Sequence, residues 1–281
     1  VADVDRSVAY AKLFVRILIF IRHANIVMRM ANKSPDTISS LAKGLHVLEC
    51  FGAETPKLSI TDVSKQSGLD RATARRCLLT LHSQGYADYD GKFFTLTPRA
   101  LRLGLSAIAS LPLPQLVQPW LDQLTDQVGE SCSVSILDGT EIVYLARAAQ
   151  KRVMSIGLMP GSRLPAQCTS MGRVLLAALP RQEAEAIVEA SDLTPRTVHS
   201  ITDPVDVMAC VDLSREQHYA IIDQEVEIGL RSIAVPLFDQ RSNVVAALNT
   251  GMAAIPEPAE GLIETILPKL LMVQAGLRRI L

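Results

Sequence analysis

The segment "SITDVSKQSGLDRATARRCLLTLHSQGY" (59–86) leaves room for one tight turn between two amphipathic stretches. This constrains the fold more than any other part of the chain. Ser59 stands three residues before Asp62, a capping-box variant with Asp in place of Glu. Ile60 and Val63 then point inward. Gly68 breaks this helix and opens the turn. Asp70 suits the N-cap of the next helix. In that helix Ala74, Cys77, Leu78 and Leu81 fall at i, i+3, i+4 and i+7, which predicts a buried face. Arg71, Thr73, Arg75 and Arg76 take its other faces, in the first two turns. Gly85 ends it. "YADYDGKFFTLT" (86–97) follows as strand, Asp90-Gly91 turn and strand, a strong hairpin signal. Upstream, "TISSLAKGLHVLECFG" (37–52) sets Leu41, Leu45, Leu48 and Phe51 near the spacing of one helical face. Helix, helix-turn-helix and hairpin together read as a winged helix-turn-helix.

In such a unit the second helix enters the major groove with its N-terminal residues toward the base edges. Arginines must then sit early in that helix, opposite its apolar stripe. Arg71, Arg75 and Arg76 do so, and each can pair bidentately with guanine or a phosphate. Thr73 is a candidate for a phosphate or a thymine methyl, Lys92 at the wing tip for a neighbouring phosphate. Ser59 and Thr61, at the front of the first helix, are further candidate DNA contacts. Most charge clusters are only solvated helix faces. Here the turn, the cap, the hairpin and the charge agree with one another, which favours DNA. Residues 39–110 hold nine Lys/Arg against six Asp/Glu, and residues 1–38 six against three; residues 111–281 hold thirteen against twenty. A net charge of −1 thus hides a basic front and an acidic remainder. One Trp and 4% aromatic residues argue against base-stacking platforms.

The domain limits expected are 1–38, 39–98, 99–114 and 115–281. The first is an N-terminal extension. Lys12, Arg16 and Arg22 interrupt its apolar run "VAYAKLFVRILIFI", so no stretch reaches the roughly 18 residues of a membrane span. It reads as an over-extended start, against the alternative of an amphipathic helix for a partner or membrane surface. "PRALRLGLSAIASLPLP" (98–114) opens with Pro98 at an N1-like position and puts Leu101, Leu105 and Ile108 on one stripe. Pro112 and Pro114 are expected to stop this connecting helix. It suits a dimer contact or packing on its own domain equally well. Beyond it helices and strands alternate: a helix at 119–129, a hairpin around Asp138-Gly139, a strand over "RVMSIGL" (152–158) and a helix at 169–179 capped by Thr169 or Ser170. Two further helices, strands over "AIID", "GLRSIAVPLFD" and "NVVAALNTGMA", and a terminal helix bent or started late at Pro268 complete it. This is an α+β domain with an antiparallel sheet. The five dispersed cysteines read as free thiols in a reducing cytoplasm.

The order of these pieces over residues 39–281 resembles the IclR family of bacterial transcriptional regulators. "SLAKGLHVLECF", "GLDRATARRCLLTLHSQGY", "RLPAQCTSMGRVLLAAL" (163–179) and "GLRSIAVPLFD" carry the resemblance. The third, with "AALNTGMA", is similar to the branch that controls protocatechuate, 4-hydroxybenzoate and β-ketoadipate metabolism. The resemblance implies a cytoplasmic homodimer or homotetramer on double-stranded DNA, RNA polymerase as a further partner, and no membrane. It also implies a C-terminal GAF/PAS-like sensor domain for a small organic acid. Its pocket-lining positions map onto Ser170, Met171, Leu230, Ser232, Asn249 and Gly251. Its acidic "D-x-E-x-x-x-G" maps onto Asp223, Glu225 and Gly229. Independently, a helix start at 169–172 favours an anion. Met154, Met159 and Leu230 are candidates for the apolar part of an organic acid, Arg147 and Arg163 for its carboxylate. Each of these arginines reads equally well as a surface ion pair. No cofactor, metal site or catalytic residue is expected. The His residues lack metal spacing, and no nucleophile elbow or phosphate loop is present. The competing enzyme reading rests on Cys168 with His199 or His218. A third reading is a ligand-binding module whose basic helix touches another protein.

Overall fold

The structure is a computed structural model and describes residues 37–52, 55–110, 112–150, 157–254 and 258–281. Nearly all of the expected N-terminal extension lies outside the described residues. The chain divides into two compact units, 1–105 and 106–281.

The first unit runs α1 (Ser39–Glu49), β1 (Lys57–Leu58), α2 (Ile60–Ser67), α3 (Arg71–Ser83), β2 (Ala87–Tyr89) and β3 (Phe94–Leu96). The strands form a small antiparallel sheet in the order β1-β3-β2. The capping box is formed: Asp62 N donates to Ser59 Oγ and Ser59 N donates to Asp62 Oδ2 at 2.9 Å. α2 ends on Gly68 at φ 68°, a left-handed conformation that a side chain disfavours. Two residues on, Asp70 Oδ1 accepts from Thr73 N at 2.9 Å and starts α3. These local bonds fix the angle between the two helices, and Val63, Ala74, Leu78, Leu81 and Phe94 fill the space between them and the sheet. The hairpin turn is longer than the expected Asp-Gly pair. It spans Asp90 to Phe93, and Asp90 Oδ1 accepts from both Lys92 N and Phe93 N. In α1 the apolar spacing does not mark an inward face: Leu41 and Leu45 are exposed, and Val47 reaches the core.

α4 (Pro98–Ser110) is the expected connecting helix. Leu101 is exposed on it, while the side chains of Leu105 and Ile108 lie outside the described residues. Pro112 and Pro114 follow the end of α4 at Ser110, as expected of a stop. They lie in the first turn of α5 (Pro112–Val128), where a missing N–H costs nothing. α5 therefore begins seven residues earlier than expected and carries Pro119 in its interior. Burial of Val117, Leu121 and Leu124 holds it together across that lost bond.

In the second unit follow β4 (Ser131–Asp138), β5 (Glu141–Ala148), β6 (Arg163–Pro165), α6 (Ser170–Ala177), α7 (Arg181–Ala190), α8 (Pro204–Gln217), β7 (Ala220–Asp223), β8 (Leu230–Phe238), β9 (Val244–Ala253), α9 (Gly261–Thr265) and α10 (Leu267–Leu277). The strand expected at 152–158 falls largely outside the described residues, and Gly157 and Leu158 are not in a strand. The strand that follows β5 is β6, on the basic-apolar triplet 163–165. The six strands make one antiparallel sheet, β6-β5-β4-β9-β8-β7. α5 and α10 cover one face through Leu121, Leu124, Leu270 and Leu277, against Val134, Ile233, Val235 and Leu248. α6, α7 and α8 cover the other through Met171, Val174, Val188 and Val211, against Ile142, Tyr144, Ala234 and Ala247. The mixed α+β class expected is thus observed. α10 starts at Leu267 with Pro268 in its first turn, the late start foreseen for the terminal helix. A β-bulge between Val134 and Ser135 shifts the β4–β5 register, so that Ser133 pairs with Arg147 and Ser135 with Tyr144.

Candidate functional site

Two surfaces carry the predicted side chains, one on each unit. On the first, Arg71, Arg75 and Arg76 are exposed along the first two turns of α3. Arg76 Nη2 donates to Thr73 Oγ1 at 3.2 Å. Arg71 and Arg75 make no hydrogen bond or ion pair with another described residue, so their ten guanidinium donors face solvent. Thr61 on α2 and Lys92 at the wing tip are exposed as well. Two candidates are placed differently. Thr73 is buried rather than left on an open face. It sits four residues before Cys77 and eight before Leu81, on the edge of the apolar stripe. Ser59 is half-buried with both its N–H and its hydroxyl directed to Asp62. Asp70 takes its Thr73 hydrogen bonds first and the nearby Arg76 charge further down, and together these hold its carboxyl below the usual range. The cap thus stays ionised beside the arginines at neutral pH.

On the second unit strand alternation sorts the candidates by face. Ser135 Oγ lies 3.1 Å from Met171 Sδ, which puts Ser135, and with it Ser133, on the α6 side. Ser133 pairs with Arg147 on one flank and Asn249 on the other. Arg147 Nη1 donates to Ser133 Oγ at 3.0 Å. Gly251, two residues past Asn249, pairs with Ser232. Ser232 Oγ and Ser170 Oγ share a hydrogen bond of 2.8 Å. Strand pairing therefore lays Arg147, Ser133, Asn249, Gly251 and Ser232 across four neighbouring strands, with Ser170 above them. Leu230 stands two residues from Ser232 on the same face. The helix cap is Thr169, whose Oγ1 accepts from Gly172 N; Ser170 is thereby free to reach Ser232. Asn249 is only 7% exposed, yet its Oδ1 has no hydrogen-bond partner among the described residues. A Cβ added at Gly251 would meet no heavy atom within 4 Å, so the floor is open above that point.

Other candidates are not brought to this floor. Asp223 falls on the opposite face, where Arg231 Nε and Nη2 grip its two oxygens at 3.0 and 2.9 Å. The Arg231 hydrogen bonds hold its carboxyl below the ordinary range. The β7 residue that shares the floor's face is Ile222, paired with Ser232. Arg163 is exposed at the β4–β5 turn and bridges Asp138 and Glu141, each at 2.8 Å. Met159 is exposed in the turn before β6. Met154 lies outside the described residues. Ser133 was missed from the sequence; its alternation with Ser131 and Ser135 in an otherwise apolar strand was the available signal.

Beneath the start of α6 lies a second pair the residue pattern did not announce. Arg173 Nη2 meets Glu225 Oε2 at 2.7 Å, with 5% and 8% of the two side chains exposed. Arg173 Nε also donates to Gln167 O at 3.1 Å. Burial pushes the Glu225 carboxyl up, and Arg173 offsets only part of that rise. The nucleophile reading of Cys168 fails on the same physics. Its thiol is 4% exposed and burial pushes it up to about 11, so it stays protonated at neutral pH. Cys50, Cys77, Cys132 and Cys210 are likewise free and not fully exposed. No helix among the described residues is long and apolar enough to cross a membrane.

A winged helix with a cationic recognition helix, in one chain with a sheet domain that carries an open polar floor, defines a ligand-responsive DNA-binding regulator. Residues 40–91 match the IclR helix-turn-helix domain, and residues 105–257 match the bacterial transcriptional regulator IclR C-terminal domain. The chain belongs to the IclR family and is a transcriptional regulator, not an enzyme. It is 43% identical over 216 residues to the Pca regulon regulatory protein of Pseudomonas putida, covering 76% of this chain and 74% of that one. It is 37% identical over 243 residues to the p-hydroxybenzoate hydroxylase transcriptional activator of Acinetobacter baylyi, covering 85% and 90%. The inducer-binding domain of PobR from Acinetobacter, a double mutant in complex with 3-hydroxybenzoic acid, superposes with a TM-score of 0.56 at 32% identity, covering 60% of this chain and 98% of that one.

Proposed function

We propose that this regulator governs genes of aromatic-acid catabolism and responds to a hydroxybenzoate-like acid bound on the polar floor of its second unit. The observation that carries this is the buried, unsatisfied Oδ1 of Asn249. A buried acceptor without a donor costs about 1–3 kcal/mol, which a ligand hydroxyl recovers. Arg147 supplies a cation for the carboxylate, and Ser170 and Ser232 supply further hydroxyl donors. The space over Gly251 takes the ring. The 3-hydroxybenzoic acid bound to the PobR domain and the p-hydroxybenzoate hydroxylase named for one relative support the same class. On the first unit, Arg71 and Arg75 read base edges or phosphates in the major groove, Arg76 and Lys92 add phosphate contacts, and Thr61 lies at the flank. The organisation is 39–98 for DNA, 99–114 as connector and 115–281 for effector. The protein works in the cytoplasm as a homodimer or homotetramer that contacts RNA polymerase. Effector binding biases one arrangement of the heads by its differential affinity, about 1–3 kcal/mol of coupling.

Calorimetry with 4-hydroxybenzoate tests the floor. Asn249→Leu should weaken binding about tenfold or more, since the ligand hydroxyl then faces an apolar group. Unchanged affinity removes Asn249 from the site. Gel shifts with the native upstream region test the helix. Arg75→Ala should cost about 1–3 kcal/mol of operator affinity while leaving calorimetry unchanged. Operator binding equal to the parent at several salt concentrations would reject the assignment.

A further inference from the structure

A cavity of about 230 Å³ opens away from the sheet-face floor, between the segment leading into α6 and the loop that precedes α8. We infer that it is a second small-molecule site, for a hydroxylated carboxylic acid of about one ring's size. It is ample for one: an engineered cavity on the order of 150 Å³ holds benzene. Leu193, Pro195 and Ile201 form apolar walls. Gln167 lines it and is 4% exposed; its Nε2 donates to Asp192 O at 2.8 Å, while its Oε1 has no partner among the described residues. Arg196 stands exposed at the edge, with Nε 3.5 Å from Val226 O and both terminal amino groups without a described partner. The neighbouring Asp192 Oδ1 is occupied by the N–H and hydroxyl of Thr194. The anion pairs with Arg196, the ring lies on the apolar walls, and a turn of the Gln167 side chain brings its unpartnered Oε1 to the ligand O–H.

The position also connects the two sites. Gln167 O is held by Arg173, and Thr169 and Ser170 follow within three residues. Ser170 Oγ reaches Ser232 on the sheet-face floor. A ligand against Gln167 therefore bears on the same helix start as a ligand on the floor.

Methyl-labelled isoleucine resonances of the full chain separate the two sites, with Ile201 reporting the cavity and Ile222 the floor. Titration with 4-hydroxybenzoate should move Ile201 saturably with a dissociation constant of about 1 mM or lower, and lactate, which leaves the apolar walls unfilled, should move it about tenfold more weakly. Arg196→Met, an exposed change that spares the fold, should weaken that shift about tenfold while leaving the Ile222 shift in place. Movement of Ile222 with Ile201 fixed up to about 10 mM of both acids overturns the cavity site and leaves the floor standing. Movement of Ile201 alone supports the cavity and counts against the floor. A linear, non-saturating drift of Ile201, or a shift unaffected by Arg196→Met, overturns the cavity site.

Discussion

Arg173→Met lowers the stability of the second unit by about 3–5 kcal/mol, because it strips the cation from a largely buried carboxylate. Glu225 keeps its burial and loses its 2.7 Å partner, and the carbonyl of Gln167 loses a donor at 3.1 Å. The deficit depends on pH in a definite direction. Burial already holds the Glu225 carboxyl above its ordinary value of 4.5, and loss of Arg173 raises it further. A carboxyl raised in the folded state favours folding below its unfolded value and loses that contribution as pH climbs through the folded one. Thermal melts should therefore show the variant far below the parent at pH 8, by roughly 10 °C, with the gap narrowing toward pH 5. The double variant Arg173→Met with Glu225→Leu should recover most of the loss, since an apolar pair of similar volume avoids the desolvation cost. A pH-independent gap, or no recovery in the double variant, would show that the pair is not what sustains this region.

Gly172→Ala is expected to cost about 3 kcal/mol or more, at the upper end for overpacking. The added methyl would sit 2.0 Å from Ala166 O and 2.4 Å from Ala166 Cα, and both are backbone atoms that no rotamer change can move aside. Relief requires α6 to lift off the preceding segment. That displaces Ser170 from Ser232, so 4-hydroxybenzoate affinity should fall along with the melting temperature. A Gly172→Ala protein that melts with the parent would mean that the close approach of helix and strand exit does not exist in solution.

What could be read from the sequence was what short-range chemistry decides. Ser59 and Asp62, Gly68, and Asp70 with Thr73 lie within three or four residues of one another, so spacing alone announces the helix-turn-helix. The β4–β5 and β8–β9 hairpins are similarly local. The floor is different, since Ser133 meets Asn249 only through a ladder that joins residues more than a hundred positions apart. Motif resemblance supplied Ser170, Ser232, Asn249 and Gly251, but could not assign faces. Asp223 shows the consequence: it is one residue away from Ile222, and in a strand one residue is the difference between two sides of a sheet. Thr73 was misplaced because its short polar side chain resembled its arginine neighbours, although its spacing from Cys77 and Leu81 pointed inward. Pro112 and Pro114 follow the end of one helix as expected, and the start they give to the next was not legible, because a proline that ends one helix and one that begins another are the same residue in a sequence.

The irregularity between Val134 and Ser135 has a bearing on how this domain can diverge. One surplus residue on β5 lets Arg147 at one end and Ile142 and Tyr144 at the other look toward the same side. Straightening the ribbon with every residue kept would rotate one end by half a turn. Either a guanidinium would be driven among the leucines of α5 and α10, or a tyrosine and an isoleucine would be turned out of their packing. Loss of one residue within 144–146 keeps Ile142 and Arg147 on their present side, so lineages of this regulator are free to shorten that ribbon by its surplus residue but not to iron out the bulge at full length.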